Sequence, residues 1–231
     1  MLFYQPENGY RFNSDSIFLY DFIRSFSPKG DLLDVGCGVG VIGLLLARDF
    51  GLRPTLVEKQ PLMAAYARRN AEVNGIEAKV EVCDFLDYRA GNRFDFVVSN
   101  PPFYHEDVIQ SEDPHLHACR YNLHLPPAPF FSKVGELLKP RGHFLFCYDA
   151  SQIGDILRSL VDAALTVEHL RFVHPRARKP AKLVMVHARS GSRAKTVVLN
   201  PLVPFGDDGY GPEARRIFKE ARTHTIKCQI D

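Results

Sequence analysis

Tryptophan is absent from this chain, and its five cysteines include no C-x-x-C pair. Cys37, Cys83 and Cys147 fall in or beside apolar runs and read as small buried residues rather than bridges. Such usage fits a reducing compartment, and the cytoplasm is the expected location. No stretch approaches the roughly 20 apolar residues of a membrane span, so no membrane partner is expected. Met1-Leu2-Phe3-Tyr4-Gln5-Pro6 lacks the basic start and long apolar run of a secretory signal. A G-x-S-x-G nucleophile turn is missing and the histidines scatter, which argues against a Ser-His-Asp hydrolase. There is no internal repeat and no low-complexity tract.

What is present is an ordinary globular composition, 45% hydrophobic and 24% charged, with one unusual local feature. The apolar run Phe94-Asp95-Phe96-Val97-Val98-Ser99 reads as a buried strand, and Asn100-Pro101-Pro102-Phe103 follows it directly. The prolines carry no N–H and hold the backbone in a fixed, extended bend. The Asn100 amide and the Pro101 carbonyl are thereby free to converge on an exocyclic amino group, whose two hydrogens need two acceptors. Phe103 adds a flat face for a planar base, a contact worth about 1–3 kcal/mol. The chemistry suggested is attack by a positioned neutral amine.

The electrophile is suggested upstream. Asp31 to Val35 is a short apolar strand that runs into a turn with Gly36, Gly38 and Gly40, and Val41 to Phe50 reads as a helix. A second strand, Arg53 to Glu58, ends in an acid 22 residues after Gly36, suited to two ribose hydroxyls. A third, Val80 to Asp84, ends in another acid, and Asp84 with Phe85 suits an adenine held by its amino group and its face. Gly38-Val39-Gly40-Val41-Ile42-Gly43 also fits the dinucleotide pattern G-x-G-x-x-G. Asp34 speaks against that reading, because it would repel a diphosphate and can hold an ammonium. Nicotinamide chemistry also gives no reason for Asn-Pro-Pro-Phe.

In this order, Asp34-x-Gly36-x-Gly38-x-Gly40, Glu58, Asp84 and Asn100-Pro-Pro-Phe103 resemble the class I methyltransferases that use S-adenosyl-L-methionine, and among them the Asn-Pro-Pro-aromatic group that methylates amino or amide nitrogens. The opening Gln5-Pro6-Glu7-Asn8-Gly9-Tyr10-Arg11-Phe12-Asn13-Ser14-Asp15-Ser16 is similar to that of the bacterial tRNA (adenine-N6) methyltransferases that modify valine tRNA beside the anticodon. Ala118-Cys119-Arg120-Tyr121 and Tyr210-Gly211-Pro212-Glu213-Ala214 resemble the same family. The likeness covers nearly the whole chain. It implies S-adenosyl-L-methionine as cofactor, with Asp34, Gly36, Gly38 and Gly40 facing its methionine part. Glu58 would hold the ribose, Asp84 and Phe85 would frame the adenine, and Asp15 would close the pocket. Asn100 and Pro101 would hold the target amine and Phe103 would stack on it. Phe103 departs from the commoner tyrosine and loses a hydroxyl. The same motif also serves guanine N2 of ribosomal RNA, adenine N6 of DNA and glutamine amides of release factors. A non-catalytic RNA-binding module is a further alternative, disfavoured by the intact motif set.

Charge is divided along the chain. Residues 1–170 carry 16 Lys/Arg against 22 Asp/Glu, and residues 171–231 carry 13 against 5. A basic C-terminal quarter suits a polyanion, here RNA, with tRNA expected. Arg176, Arg178 and Lys179 form its densest part, in a proline-bounded loop rather than on a helix face.

Strand–helix alternation predicts an α/β, Rossmann-like fold with helices on both faces. The expected sheet is mostly parallel and seven-stranded, with one antiparallel strand at Leu183 to His187. Expected helices are 14–26, 41–50, 60–74, 127–138, 151–163 and 212–223. Residues 1–231 read as a single methyltransferase domain, with an N-terminal segment 1–28, a core 29–190 and a C-terminal extension 191–231. Residues 104–125 read as a substrate-covering loop. His115-x-His117-x-Cys119 within it lacks a second partner set at zinc-like spacing, so no metal is expected. Arg120 is the loop's candidate phosphate contact. The sequence leaves the oligomeric state open.

Overall fold

The computed structural model describes residues 1–8, 11–101 and 127–229. In chain order, β1 (Leu2–Gln5) leads to α1 (Ser14–Arg24), then β2 (Asp31–Val35), α2 (Val41–Phe50), β3 (Arg53–Glu58), α3 (Pro61–Val73), β4 (Lys79–Val82) and β5 (Phe94–Ser99). After helix Pro127–Leu137 come β6 (Leu138–Asp149), helix Ile153–Asp162, β7 (Leu165–Val173), β8 (Leu183–Ser190) and β9 (Val197–Val198). A short hairpin, β10 (Phe205–Gly206) and β11 (Gly209–Tyr210), precedes helix Pro212–Ala221 and β12 (His224–Lys227).

The main sheet has the order β4-β3-β2-β5-β6-β8-β7-β9. Only β8 is antiparallel to its neighbours, as the short β7–β8 connection requires. Eight strands replace the expected seven. The added one is the exposed Val197-Val198 pair, which lies parallel on the β7 edge. Alternate strand residues feed two cores. Leu32, Leu56, Val98 and Leu145 pack with α1 and α2, while Leu33, Val57, Val97 and Phe144 pack with Phe130 and Phe131 of the facing helix. The strand order turns at β2, between β3 and β5, and open α/β sheets bind ligands beyond the strand ends at such a point.

The N-terminal segment is tied across this frame. β1 pairs in parallel with β12 and is clamped to α3 by two asparagines one turn apart. Asn70 accepts from the Tyr4 N–H at 2.7 Å and donates to the Tyr4 carbonyl at 3.0 Å, and Asn74 does the same for Leu2. Asn70 is fully buried and also donates to the Val39 carbonyl at 2.9 Å, joining the segment to the glycine turn.

Across β6, β8 and β7, His143, His187 and His169 form a nearly coplanar row, with ring planes within 3° and 7° of each other. Their nitrogens meet at 2.9 and 3.1 Å. Burial pulls His143 down to about 4 and His187 to about 3, so these two rings stay neutral and trade hydrogen bonds. Glu168 lies within ligand reach of His169 and His187. Its carboxylate, however, is held by the Ser192 hydroxyl at 2.5 Å and faces Arg189 at 3.6 Å. The group is therefore a satisfied polar core.

Candidate active site

The glycine turn after β2 needs positive φ at Gly36 (64°), Gly38 (56°) and Gly40 (84°), a region that side chains rarely adopt. A Cβ on Gly36 or Gly38 would meet no atom within 4 Å, so the turn borders open space. Gly40 caps α2 without a side chain. Gly43 serves packing instead. A Cβ there would stand 2.5 Å from the Leu56 side chain and 3.1 Å from an Asp34 oxygen, so α2 sits directly against β3 and the acid.

Three acids stand at the ends of three adjacent strands, Asp34 and Glu58 within β2 and β3 and Asp84 just past β4, in different surroundings. Asp34 is 1% exposed, and its Oδ2 accepts from the Gly43 N–H at 2.8 Å. Burial pushes its carboxyl up to about 7, against that hydrogen bond, and the Glu58 charge adds to the rise. Glu58 is also raised by burial while accepting from the N–H groups of Gly38 (2.8 Å) and Gln60 (2.9 Å). Asp84 is held low, chiefly by its hydrogen bond with Lys59 at 2.8 Å. Phe85 does not present its face beside it. The ring is 4% exposed and packs edge-on against Phe130, so it is committed to the core.

Asn100 lies at the end of β5, beside β2. It lines one cavity with Phe12, Ser16, Asp34, Gly36 and Gly38. Its amide nitrogen donates to Ser16 Oγ at 2.8 Å, and its Oδ1 accepts from the Cys147 thiol at 2.8 Å. The amide is thus fixed with a carbonyl oxygen that has a second lone pair to offer. In the sequence Cys147 reads only as a small buried residue and Ser16 only as the end of the opening motif, and neither is a candidate site residue there. They lie 84 and 47 residues from Asn100, and no local pattern signals either contact. Asp15 stands in the first turn of α1, capped by Asn13, and burial raises its carboxyl. Pro101 is buried. Phe103, Arg120 and the expected loop 104–125 lie outside the described residues.

Arg176, Arg178 and Lys179 are exposed on the β7–β8 turn. That turn leaves β7 at the same sheet edge as Asn100, since Leu183 pairs with Asp149 at the end of β6 and with Val173 at the end of β7. A wider surface cavity at the far end of α1 is lined by Asp21, Arg24, Arg171, Arg216 and Glu220. Its charges largely pair with one another, as in Arg24–Glu220 at 2.7 Å and Arg216–Glu220 at 2.9 Å.

Residues 12–115 match the family model of the methyltransferase small domain. The fold is that of the class I methyltransferases. In solved structures, the chain resembles a predicted O-methyltransferase from Agrobacterium tumefaciens with a TM-score of 0.70 at 18% identity, covering 93% of this chain and 100% of that one. A class I S-adenosylmethionine-dependent methyltransferase from Listeria monocytogenes, described as putative, aligns with a TM-score of 0.60 at 17% identity over 90% of this chain and 69% of that one. In sequence, a protein of Porphyromonas gingivalis named tRNA1(Val) (adenine(37)-N6)-methyltransferase is 28% identical over 219 residues, covering 87% of this chain and 84% of that protein. Ribosomal RNA small subunit methyltransferase C of Aeromonas hydrophila is 43% identical over 77 residues, 33% of this chain and 22% of that protein.

The family-model match and the fold imply S-adenosyl-L-methionine as cofactor. The donor set suits it. The open space beside Gly36 and Gly38 admits close backbone approach, and two buried acids border it where a diphosphate would be repelled. Among the described residues no helix is long and apolar enough to cross a membrane.

Proposed function

We propose that this methyltransferase modifies an exocyclic amino group of RNA, adenine N6 of a tRNA, with valine tRNA beside the anticodon as the expected substrate. The observation that carries the reading is the placement of Asn100, held by Ser16 and Cys147 on the rim of the cavity that the glycine turn and Asp34 line. The whole-length likeness to the Porphyromonas gingivalis protein supports tRNA over ribosomal RNA, because the Aeromonas hydrophila match spans a small part of that protein. Guanine N2 of ribosomal RNA and a glutamine amide of a protein are the alternatives.

Asp34 and the turn Gly36, Gly38 and Gly40 would hold the methionine part of the cofactor, with Asp15 closing the pocket. Glu58 would hold the ribose and Asp84 the adenine. Bound there, the cofactor supplies an electrophilic methyl carbon on a sulfonium. Asn100 Oδ1 and the Pro101 carbonyl would accept the two N–H bonds of the target amine, which aims its lone pair and stabilises the positive charge that develops on nitrogen. No strong base is needed, because the methylated nitrogen becomes acidic and releases its proton to water. Phe103 would stack on the base, which must leave its own stack to arrive. Arg120 and the trio Arg176, Arg178 and Lys179 would hold phosphates. We take residues 1–231 as one domain working in the cytoplasm.

The test is transfer of labelled methyl to unmodified tRNA, ribosomal RNA and protein in parallel, followed by nucleoside analysis. N6-methyladenosine in tRNA is the expected product. N2-methylguanosine in ribosomal RNA, or labelled protein, would keep the chemistry and overturn the substrate.

A further inference from the structure

Phe205 and Tyr210 face each other across the β10–β11 hairpin, rings stacked at 4.7 Å and 21°, and each is 38% exposed. A hairpin with two residues per strand does not stand alone in water. This one is closed by one further backbone bond and held from two sides. The Phe205 N–H donates to the Pro175 carbonyl at 3.2 Å, the Gly211 N–H donates to the Pro204 carbonyl at 2.8 Å, and Tyr210 sits edge-on against Phe218 at 4.8 Å. The first of these bonds fixes the aromatic pair to the basic turn itself. Arg176, Arg178, Lys179 and Lys182 are exposed there, and none is held in an ion pair with a described residue. The chain of contacts also runs to the candidate active site. Phe218 packs on Phe18 at 5.6 Å, two residues along α1 from Ser16, which holds Asn100. From β5 to β7 the sheet spans about 14 Å, three strand spacings, a distance that a few nucleotides of extended strand cover.

We propose that the Phe205–Tyr210 pair and the β7–β8 basic turn form a second binding site, which stacks an unpaired base of the RNA while the target base occupies the Asn100 pocket. Exposed rings beside exposed cations are the pattern of single-strand recognition, where the bases meet the rings and the phosphates meet the cations. The hairpin tip fixes the polarity. Asp207 and Asp208 are exposed there and repel phosphate, so the backbone lies on the Arg176 side and the base on the ring side. The site gives the enzyme a handle on unpaired RNA outside the target nucleotide. This inference rests on the RNA reading of the function.

The lack of tryptophan provides a direct probe. In Phe205→Trp, the single indole reports stacking by quenching of its emission. A short single-stranded RNA oligonucleotide is expected to quench it, and a duplex of equal length to quench it weakly. In parallel, Phe205→Leu and the double variant Phe205→Ala/Tyr210→Ala are expected to raise KM for tRNA about five- to a hundred-fold with kcat and cofactor binding kept. The Leu variant keeps apolar bulk and so separates stacking from hairpin stability. Emission unchanged by an oligonucleotide that does bind, no binding of the single strand at all, or an unaltered KM in the Leu variant would overturn the site. If RNA quenches Phe205→Trp yet the wild type labels only protein, the substrate reading fails while the binding site stands.

Discussion

The two halves of one sheet edge are built for opposite charges. At β2 and β3 the acids Asp34 and Glu58 are buried, satisfied by backbone N–H groups and raised in pKa. Three to five strands away, at the β7–β8 turn, Arg176, Arg178 and Lys179 are exposed. A buried acid beside a vacancy suits a small cation held tightly and in one pose. Exposed cations suit a long polyanion held loosely and released on demand. The difference teaches that burial, more than sign, separates a cofactor pocket from a docking surface: desolvation makes one charge selective, and screening makes the other salt-sensitive.

Of the two halves, the acidic one should show the larger effect. Asp34→Asn is expected to weaken cofactor binding by about ten- to a hundred-fold, measured by calorimetry. The pH dependence follows from the sign of the shift. Asp34 sits at about 7 without a bound cation and must lose its proton to hold an ammonium. Affinity should therefore fall as pH drops below about 7, by up to about tenfold per unit, and level off above it. Asp84, held low by Lys59, should add no slope in that window. A flat profile in the wild type, or the same slope in Asp34→Asn, would remove the pairing of Asp34 with the cofactor.

The basic half should respond to salt. Changing Arg176, Arg178 and Lys179 together to Gln should lower the slope of log affinity for tRNA against log salt by about two to three, and leave cofactor binding alone. Arg216→Gln serves as the contrast, because that side chain is already bound to Asp21 and Glu220. Equal losses in both variants would show that the turn has no special place in RNA binding. The smallest effect should come from Ser16→Ala. It frees the Asn100 amide to rotate, so kcat should drop about three- to tenfold with KM kept. Ser16→Thr should restore it, and a change in KM alone would contradict a positioning role.

The parts that were legible in the sequence are those with a local signature. Apolar runs gave the six central strands, and the expected helix at 41–50 coincides with α2. The order of Asp34, the glycine turn, Glu58, Asp84 and Asn100-Pro101 placed these residues at neighbouring strand ends, because each closes a strand of a parallel sheet. What was not legible depends on distant partners. β1 and β12 are four-residue strands that exist through each other and through Asn70 and Asn74. The hairpin β10–β11 depends on Pro175 and Phe218 in the same way. Phe85 shows the limit on side-chain direction: its place after a strand-end acid suggests a ligand face, while packing on Phe130 decides that the ring turns inward.

The central claim is that Asn100 serves transfer and not the fold or the cofactor. Single-turnover transfer to tRNA should be measured in Asn100→Ala alongside the cofactor Kd and the thermal midpoint. Loss of the Oδ1 acceptor at the amine should cut the rate by at least about a hundred- to a thousand-fold, with the Kd within a few-fold of wild type and the midpoint little changed. A variant that transfers at the wild-type rate, or that loses cofactor and stability together with transfer, would contradict the account.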